Sequence, residues 1–190
     1  YADDLAGSGY LYELPDCELQ QVKKLTAEEG TSEDWFGYSV AMACDLLVVG
    51  ARNESETDGS TGAAYIFQRN HDGAEMWGLV RRLISPEGGD YDYFGDAVAV
   101  DCDVVVVGAP GVKVGDNGGQ GAAYVYLRNY ADEEPQHPSP DCWGLRQTLT
   151  ASDGAAGDSL GAAVDVACDR IIVGTDPGSG DGAAYLYRRD

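Results

Sequence analysis

The chain has 190 residues, 44% of them hydrophobic, and its 33 acidic against 12 basic side chains give a formal net charge of −21. That length supports a single domain with a sizeable core, and that charge argues against nucleic acid and anionic membrane surfaces as partners. No stretch approaches the roughly 20 apolar residues that span a bilayer, and the first residues do not read as a leader segment. Twenty-six glycines point to many turns between short strands rather than to long helices.

From the start, "GYLYEL" from Gly9 and "LQQVKKL" from Leu19 read as strands. Glu29 and Asp34 follow, then Phe36-Gly37 opening "FGYSVAMA", Cys44-Asp45, and the apolar run "LLVVG" ending at Gly50. "LTAEEGTSED" has the composition for a helical turn before Phe36. A sequon, Asn53 to Ser55, comes next, and "GAAY" at Gly62 to Tyr65 opens a further strand. The order then repeats. "WGLVRRL" from Trp77 leads to Glu87, Asp92, Phe94-Gly95, Cys102-Asp103, "VVVVG" ending at Gly108, and "GAAY" from Gly121. "WGLRQTL" from Trp143 leads to Asp153, Asp158, Leu160-Gly161, Cys168-Asp169, "RIIVG" ending at Gly174, and "GAAY" from Gly182. From strand start to the glycine that ends the apolar run, no copy gains or loses a residue. Length varies only before and after "GAAY", as packed strands joined by surface turns require.

The strand opened by Phe94 sets Phe94, Val98, Val100 and Cys102 on one face against Gly95, Ala97 and Ala99 on the other. A large and a small face at period two let a neighbouring sheet approach the small side closely. "VVVV" has no polar face, so it must be covered on both sides, and stacked sheets do this without a helix. Four short antiparallel strands every 60 residues or so describe a β-propeller blade. Residues 1–34 then supply the third and fourth strands of a partial blade, 35–92 a first full blade, 93–158 a second, and 159–190 a partial third.

"FGYSVA" and "FGDAVA", "VVGA" and "VVGAP", "GAAYIF" and "GAAYVY" resemble FG-GAP repeats, the blades of integrin α-subunit propellers and of many secreted proteins. The resemblance implies an all-β fold of tandem four-stranded blades, too few here for the closed seven-bladed ring of that family. It implies adhesion or scaffolding more than catalysis, and an extracellular or cell-surface setting. The family's calcium loop, D-x-D-x-D-G between the first two strands of a blade, is replaced by "ACDL", "DCDV" and "ACDR".

No catalytic motif appears, and no cofactor is expected. His71 and His137 stand alone in variable loops, and "GDNGGQG" from Gly115 leads into a strand, so no helix N-terminus awaits a phosphate. In an up-and-down blade, Glu29, Asp34, Glu87, Asp92, Asp153 and Asp158 fall on one rim together with Asp58, Asp116, Asp176 and Asp181. Such carboxylates suit Ca²⁺, and Asp and Gly are equally what turns use. The recurrent tyrosines of the third strand fit blade packing or an aromatic binding face.

Five cysteines suit an oxidising compartment and leave one over. Cys44, Cys102 and Cys168 occupy one hairpin in three copies, and Cys17 and Cys142 precede the outer strand in two, with Met76 at the matching place of the middle one. One pairing joins Cys17 to Cys44 and Cys142 to Cys168, with Cys102 a free or intermolecular thiol. The rival joins Cys102 to Cys142 and sends Cys168 to Cys17 of another chain. The leading expectation is a non-enzymatic extracellular module, glycosylated at Asn53, that associates through open blade ends with copies of itself or with further blades. The alternative is a Ca²⁺-dependent adhesion propeller with a protein or glycan ligand. An enzyme of unknown type comes third.

Overall fold

A computed structural model describes residues 7–13, 18, 20–27, 33–54, 59–74, 76–129, 142–176, 178 and 181–188. Every strand among them pairs antiparallel within its sheet. β1 (Gly9–Glu13) pairs with β2 (Gln20–Leu25). β3 (Phe36–Ala43), β4 (Leu46–Ala51), β5 (Ala63–Arg69) and β6 (Trp77–Ile84) form a four-stranded sheet in chain order. β7 (Val98–Asp101), β8 (Val104–Ala109), β9 (Ala122–Arg128) and β10 (Trp143–Leu149) form the next. β11 (Ala163–Ala167), β12 (Arg170–Gly174) and β13 (Ala184–Arg188) form a three-stranded sheet. None closes on itself, and the all-β stack of blades has the expected class. Of the stretch offered above as a helical turn, Leu25 ends β2 and residues 28–32 lie outside the described residues.

The sheets stack face to face through their inner strands, β3 beside β7 and β7 beside β11. In β8, Val105, Val106 and Val107 are wholly buried, with one blade on each side. That accounts for a fully apolar strand in so acidic a chain: hydrophobic faces meet between blades, and charges are left to the turns. Phe94 and Leu160 are also wholly buried and seal two of the three junctions, each forming an isolated parallel bridge to the "GAAY" glycine of the preceding blade, Gly62 and Gly121, as Phe36 does with Gly7 at the first. The Phe94 and Leu160 N–H groups donate to Thr61 O and Gln120 O, both at 2.9 Å. Gly95 and Gly161, next in the motif, sit at φ of 87° and 97°, the left-handed region in which a side chain costs most. The Phe-Gly pair therefore works as a clasp, an apolar plug followed by a turn into the next inner strand.

The hairpins β3–β4, β7–β8 and β11–β12 each close through a two-residue Cys-Asp loop. They lie side by side at the rim opposite the Phe-Gly clasps. Here the expected pairing is corrected: Cys44 is bonded to Cys102, with Cα atoms 5.4 Å apart, so Cys102 is no free thiol. Cys168 is reduced and exposed, so its bond to Cys142 does not form. Equivalent hairpins of adjacent blades are neighbours, whereas an outer-strand cysteine lies a whole sheet away from an inner hairpin, beyond the roughly 7 Å a disulfide tolerates. Cys17 lies outside the described residues. The bond spans 58 residues of sequence, and constraining a loop of that length is worth about 4 kcal/mol in the chain-entropy account. Non-reducing peptide mapping is expected to yield a Cys44–Cys102 peptide, and the double Ser variant is expected to lose stability on that scale in urea titration.

Candidate functional site

Of the rim acids singled out from spacing, Asp92 and Asp158 are held within their own blades, and Glu87 and Asp153 by a tyrosine of the next blade. Asp92 is buried and accepts from Ser85 Oγ and from Gly89 N, both at 2.9 Å. Burial pushes its carboxyl above the ordinary range, outweighing those two hydrogen bonds, and Glu87 and Asp90 push the same way. Asp158 accepts from Ala155 N at 2.7 Å, the same i−3 turn in the next copy. Asp34 is buried beside the first clasp. Glu87 Oε2 accepts from the Tyr124 hydroxyl at 2.5 Å, and Asp153 Oδ1 accepts from the Tyr185 hydroxyl at 2.8 Å. Glu29 and Asp58 lie outside the described residues. Among the described residues, no three His, Cys, Asp or Glu side chains converge as a metal would require.

The tyrosines sort by position. Tyr65 and Tyr124 are buried and hydrogen-bonded through their hydroxyls, and Tyr126 is buried as well, whereas Tyr10 and Tyr12 are exposed. The buried Glu54 also accepts from Arg82 Nε at 2.6 Å, so Tyr65, Glu54 and Arg82 make one network. His71 is exposed and pairs only locally with Asp72 at 3.0 Å, and "GDNGGQG" is a turn in which Asn117 Nδ2 donates to Gln120 Oε1 at 2.9 Å. His137 lies outside the described residues. Asn53 stands in the turn after β4, half-buried, its N–H on Asp34 O at 3.3 Å.

Two features escaped sequence reasoning. The first is a cluster around Arg52. Its guanidinium lies 4.7 Å from the ring centre of Tyr38 and 4.5 Å from that of Tyr93, with Trp35 at 6.0 Å. Arg52 Nη1 donates to Tyr38 Oη at 2.8 Å and reaches Asp96 Oδ1 at 2.7 Å across the blade junction. Burial pushes the Asp96 carboxyl up; Arg52 opposes this and Asp176 adds to it. The signal was present as divergence within the repeat. Trp35, Tyr93 and Ser159 are equivalent positions, as are Tyr38, Asp96 and Ala162, and Arg52, Pro110 and Asp176. These change character between copies while the glycines around them repeat.

The second feature is the contrast between inner and end faces of the stack. Val98 and Val100 of β7 are 8% and 9% exposed, while their equivalents in β3, Val40 and Met42, are 65% and 62% exposed. At the other end, Ile172 and Leu186 are exposed, although their equivalents Val106 and Val125 are buried. One end thus shows the large-residue face of an inner strand, and the other shows a face of the kind that receives it. A groove of about 270 Å³ runs beside Val40 and Met42, walled by Tyr10, Leu25, Leu47 and Val49.

Three segments, residues 19–67, 77–126 and 143–187, match the FG-GAP repeat, and their bounds run from outer strand through clasp and hairpin to the "GAAY" strand in every copy. No curated protein matches the chain. Clasp, stacked blades and three matched repeats over most of the chain together place it: the protein belongs to the FG-GAP repeat family, as a β-propeller-type module.

Proposed function

We propose that the protein is a non-enzymatic structural or interaction module, extracellular or cell-surface, that associates head to tail through its open blade faces. The observation that carries this reading is the exposure of Val40 and Met42 at one end and of Ile172 and Leu186 at the other. A monomer seldom leaves apolar sheet faces bare, and each internal junction is already a working example of the contact they would make. Both ends also carry a third strand of the same wording, "GYLYE" in β1 and "AYLYR" in β13. A second copy offering β11 and β12 beside β1 and β2 would complete a four-stranded blade, with β13 and β1 competing for one place. That contact is heterologous, and such contacts build rings or helical filaments.

Size-exclusion chromatography with light scattering tests it. Concentration-dependent species larger than a monomer are expected, reduced to monomer by Met42→Lys with no loss of thermal stability. A monomer at all accessible concentrations overturns the proposal. The extracellular setting has its own check. In material purified from a eukaryotic secretory route, the peptide carrying Asn53 is expected to bear an N-linked glycan, because the turn after β4 stands on the rim, clear of the stacked faces. An unmodified peptide from such material removes that support.

A further inference from the structure

We propose that the clasp rim holds a binding cavity for a small organic cation, an alkylguanidinium or alkylammonium, at the junction between the second and third blades. A cavity of about 560 Å³ opens there, floored by Gly119 and Gly157 and walled by Asp96, Ser159, Ala162 and Asp176. Its origin lies in the repeat. One junction earlier the same place is filled from within by Arg52, stacked on Tyr38 and Tyr93 and paired with Asp96. At the second junction Pro110 stands for Arg52, Ser159 for Tyr93 and Ala162 for Asp96. A cationic side chain, a phenol ring and a carboxylate are all cut back, and the framework glycines that hold their positions stay. The cavity runs from Tyr38, Arg52 and Tyr93 to the positions where their counterparts are cut back.

The charge of the walls selects the occupant. Arg52, Asp96 and Asp176 line the cavity, one positive and two negative groups, so a single added cation balances them. Asp96 is already paired with Arg52 at 2.7 Å, so the negative charge left over at the cavity wall is that of Asp176. Asp176 is exposed at the mouth and the chain's net charge of −21 draws cations toward it. The size of the space and the spread of its oxygens suit an organic cation better than Ca²⁺, which needs six to eight oxygens converging at about 2.3–2.6 Å.

The repeat also supplies a variant that closes the cavity without straining the backbone. Trp35, Tyr93 and Ser159 share one conformation, with φ of 56°, 55° and 55°, so this backbone already carries an aromatic ring twice, and Ser159→Tyr is tolerated. The test is titration of the intact chain with n-butylguanidinium and n-butylammonium, followed by amide shifts in isotope-labelled protein and by calorimetry. Saturable binding of either cation is expected, with shifts centred on Gly119, Gly157 and Ala162. Ser159→Tyr should abolish it and Asp176→Asn should weaken it at least tenfold, both with unchanged melting temperature. No saturation, binding that survives Ser159→Tyr, or displacement of both cations by stoichiometric Ca²⁺ overturns the proposal. None of these outcomes depends on whether the chain self-associates, since Met42→Lys provides the same cavity on a monomer.

Discussion

Gly108→Ala is expected to destabilise the protein by about 3 kcal/mol or more, while Gly174→Ala, at the same place one copy later, is expected to cost less than about 1 kcal/mol. Both glycines follow the apolar run of a blade's second strand, and neither sits at positive φ, so alanine suits the backbone at either position. What differs is the neighbour. A Cβ on Gly108 would fall inside the van der Waals envelope of the Gly161 carbonyl oxygen, across the junction in the third blade. Both sides of that contact are main chain, fixed by the clasp hydrogen bonds, so no rotamer change relieves it and the blades must separate. A Cβ on Gly174 meets only Ala163 Cβ at 3.4 Å and Ala163 O at 3.8 Å, which is ordinary contact. Removing a glycine also restricts the unfolded chain, which favours Gly174→Ala by about 0.4–1 kcal/mol. For a chain of this size a loss of 3 kcal/mol lowers the melting temperature by roughly 6–12 °C. Thermal melts on monomeric protein decide the matter, and equal losses at the two positions would refute close backbone packing as the basis of the junction.

The pair also separates folding from association. If the face bearing Gly174 receives an inner strand of another copy, as the face bearing Gly108 receives β11, then Gly174→Ala leaves the monomer intact and blocks the larger species. The same methyl group would be a folding defect at one junction and an assembly defect at the next.

Much of this architecture was legible in the sequence, and the reason is physical. Strict spacing around Phe94 or Leu160 reflects a clasp that tolerates no insertion, and the unbroken valines of β8 mean burial on both faces. The disulfide was misjudged because hydrophobic period reports which face of a strand is covered and not which hairpins stand together. Proximity of Cys44 and Cys102 is set by the stacking of inner strands, a relation between repeats, whereas the pairs expected from spacing join the connection before an outer strand to the next hairpin. Asp92 and Asp158 accept N–H groups three residues back, a role in turns that Asp close to Gly makes legible. Sequence alone did not reveal that Glu87 and Asp153 serve tyrosines of their own copies. The cavity was hidden for the opposite reason. It lies at the positions where the repeat breaks down, and attention to what recurs passes over Ser159, Ala162 and Asp176.

Those tyrosine–carboxylate pairs govern behaviour in base. Tyr65 donates to Glu54 and Tyr124 to Glu87, each at 2.5 Å. Burial pushes both phenols well above their ordinary value of 10.0, and the hydrogen bond to a carboxylate, with its negative charge, pushes further the same way. Because the folded value is raised above the unfolded one, the stabilisation is fully present below about pH 10 and is lost as pH climbs from there toward the folded values. Across that window the unfolded chain gives up phenolic protons that the folded chain keeps. The ideal slope is about 1.4 kcal/mol per pH unit for each tyrosine, and about 1 once solvent screening at the rim is allowed for. Urea midpoints taken after thiol alkylation are therefore expected to hold from pH 7 to 9 and to fall steeply from pH 10 to 11.5. Tyr65→Phe and Tyr124→Phe should each lose about 1 kcal/mol at neutral pH and each flatten the alkaline slope in part, since Tyr187 is raised by burial as well. The two differ in what they strand: Glu54 keeps Arg82 as a partner, while Glu87 stands among the neighbouring acids that act on Asp92. Tyr124→Phe is accordingly the costlier of the two at neutral pH. A midpoint that stays flat to pH 11.5 in the parent protein would mean that these hydroxyls are open to water and that the pairs do not hold the blades.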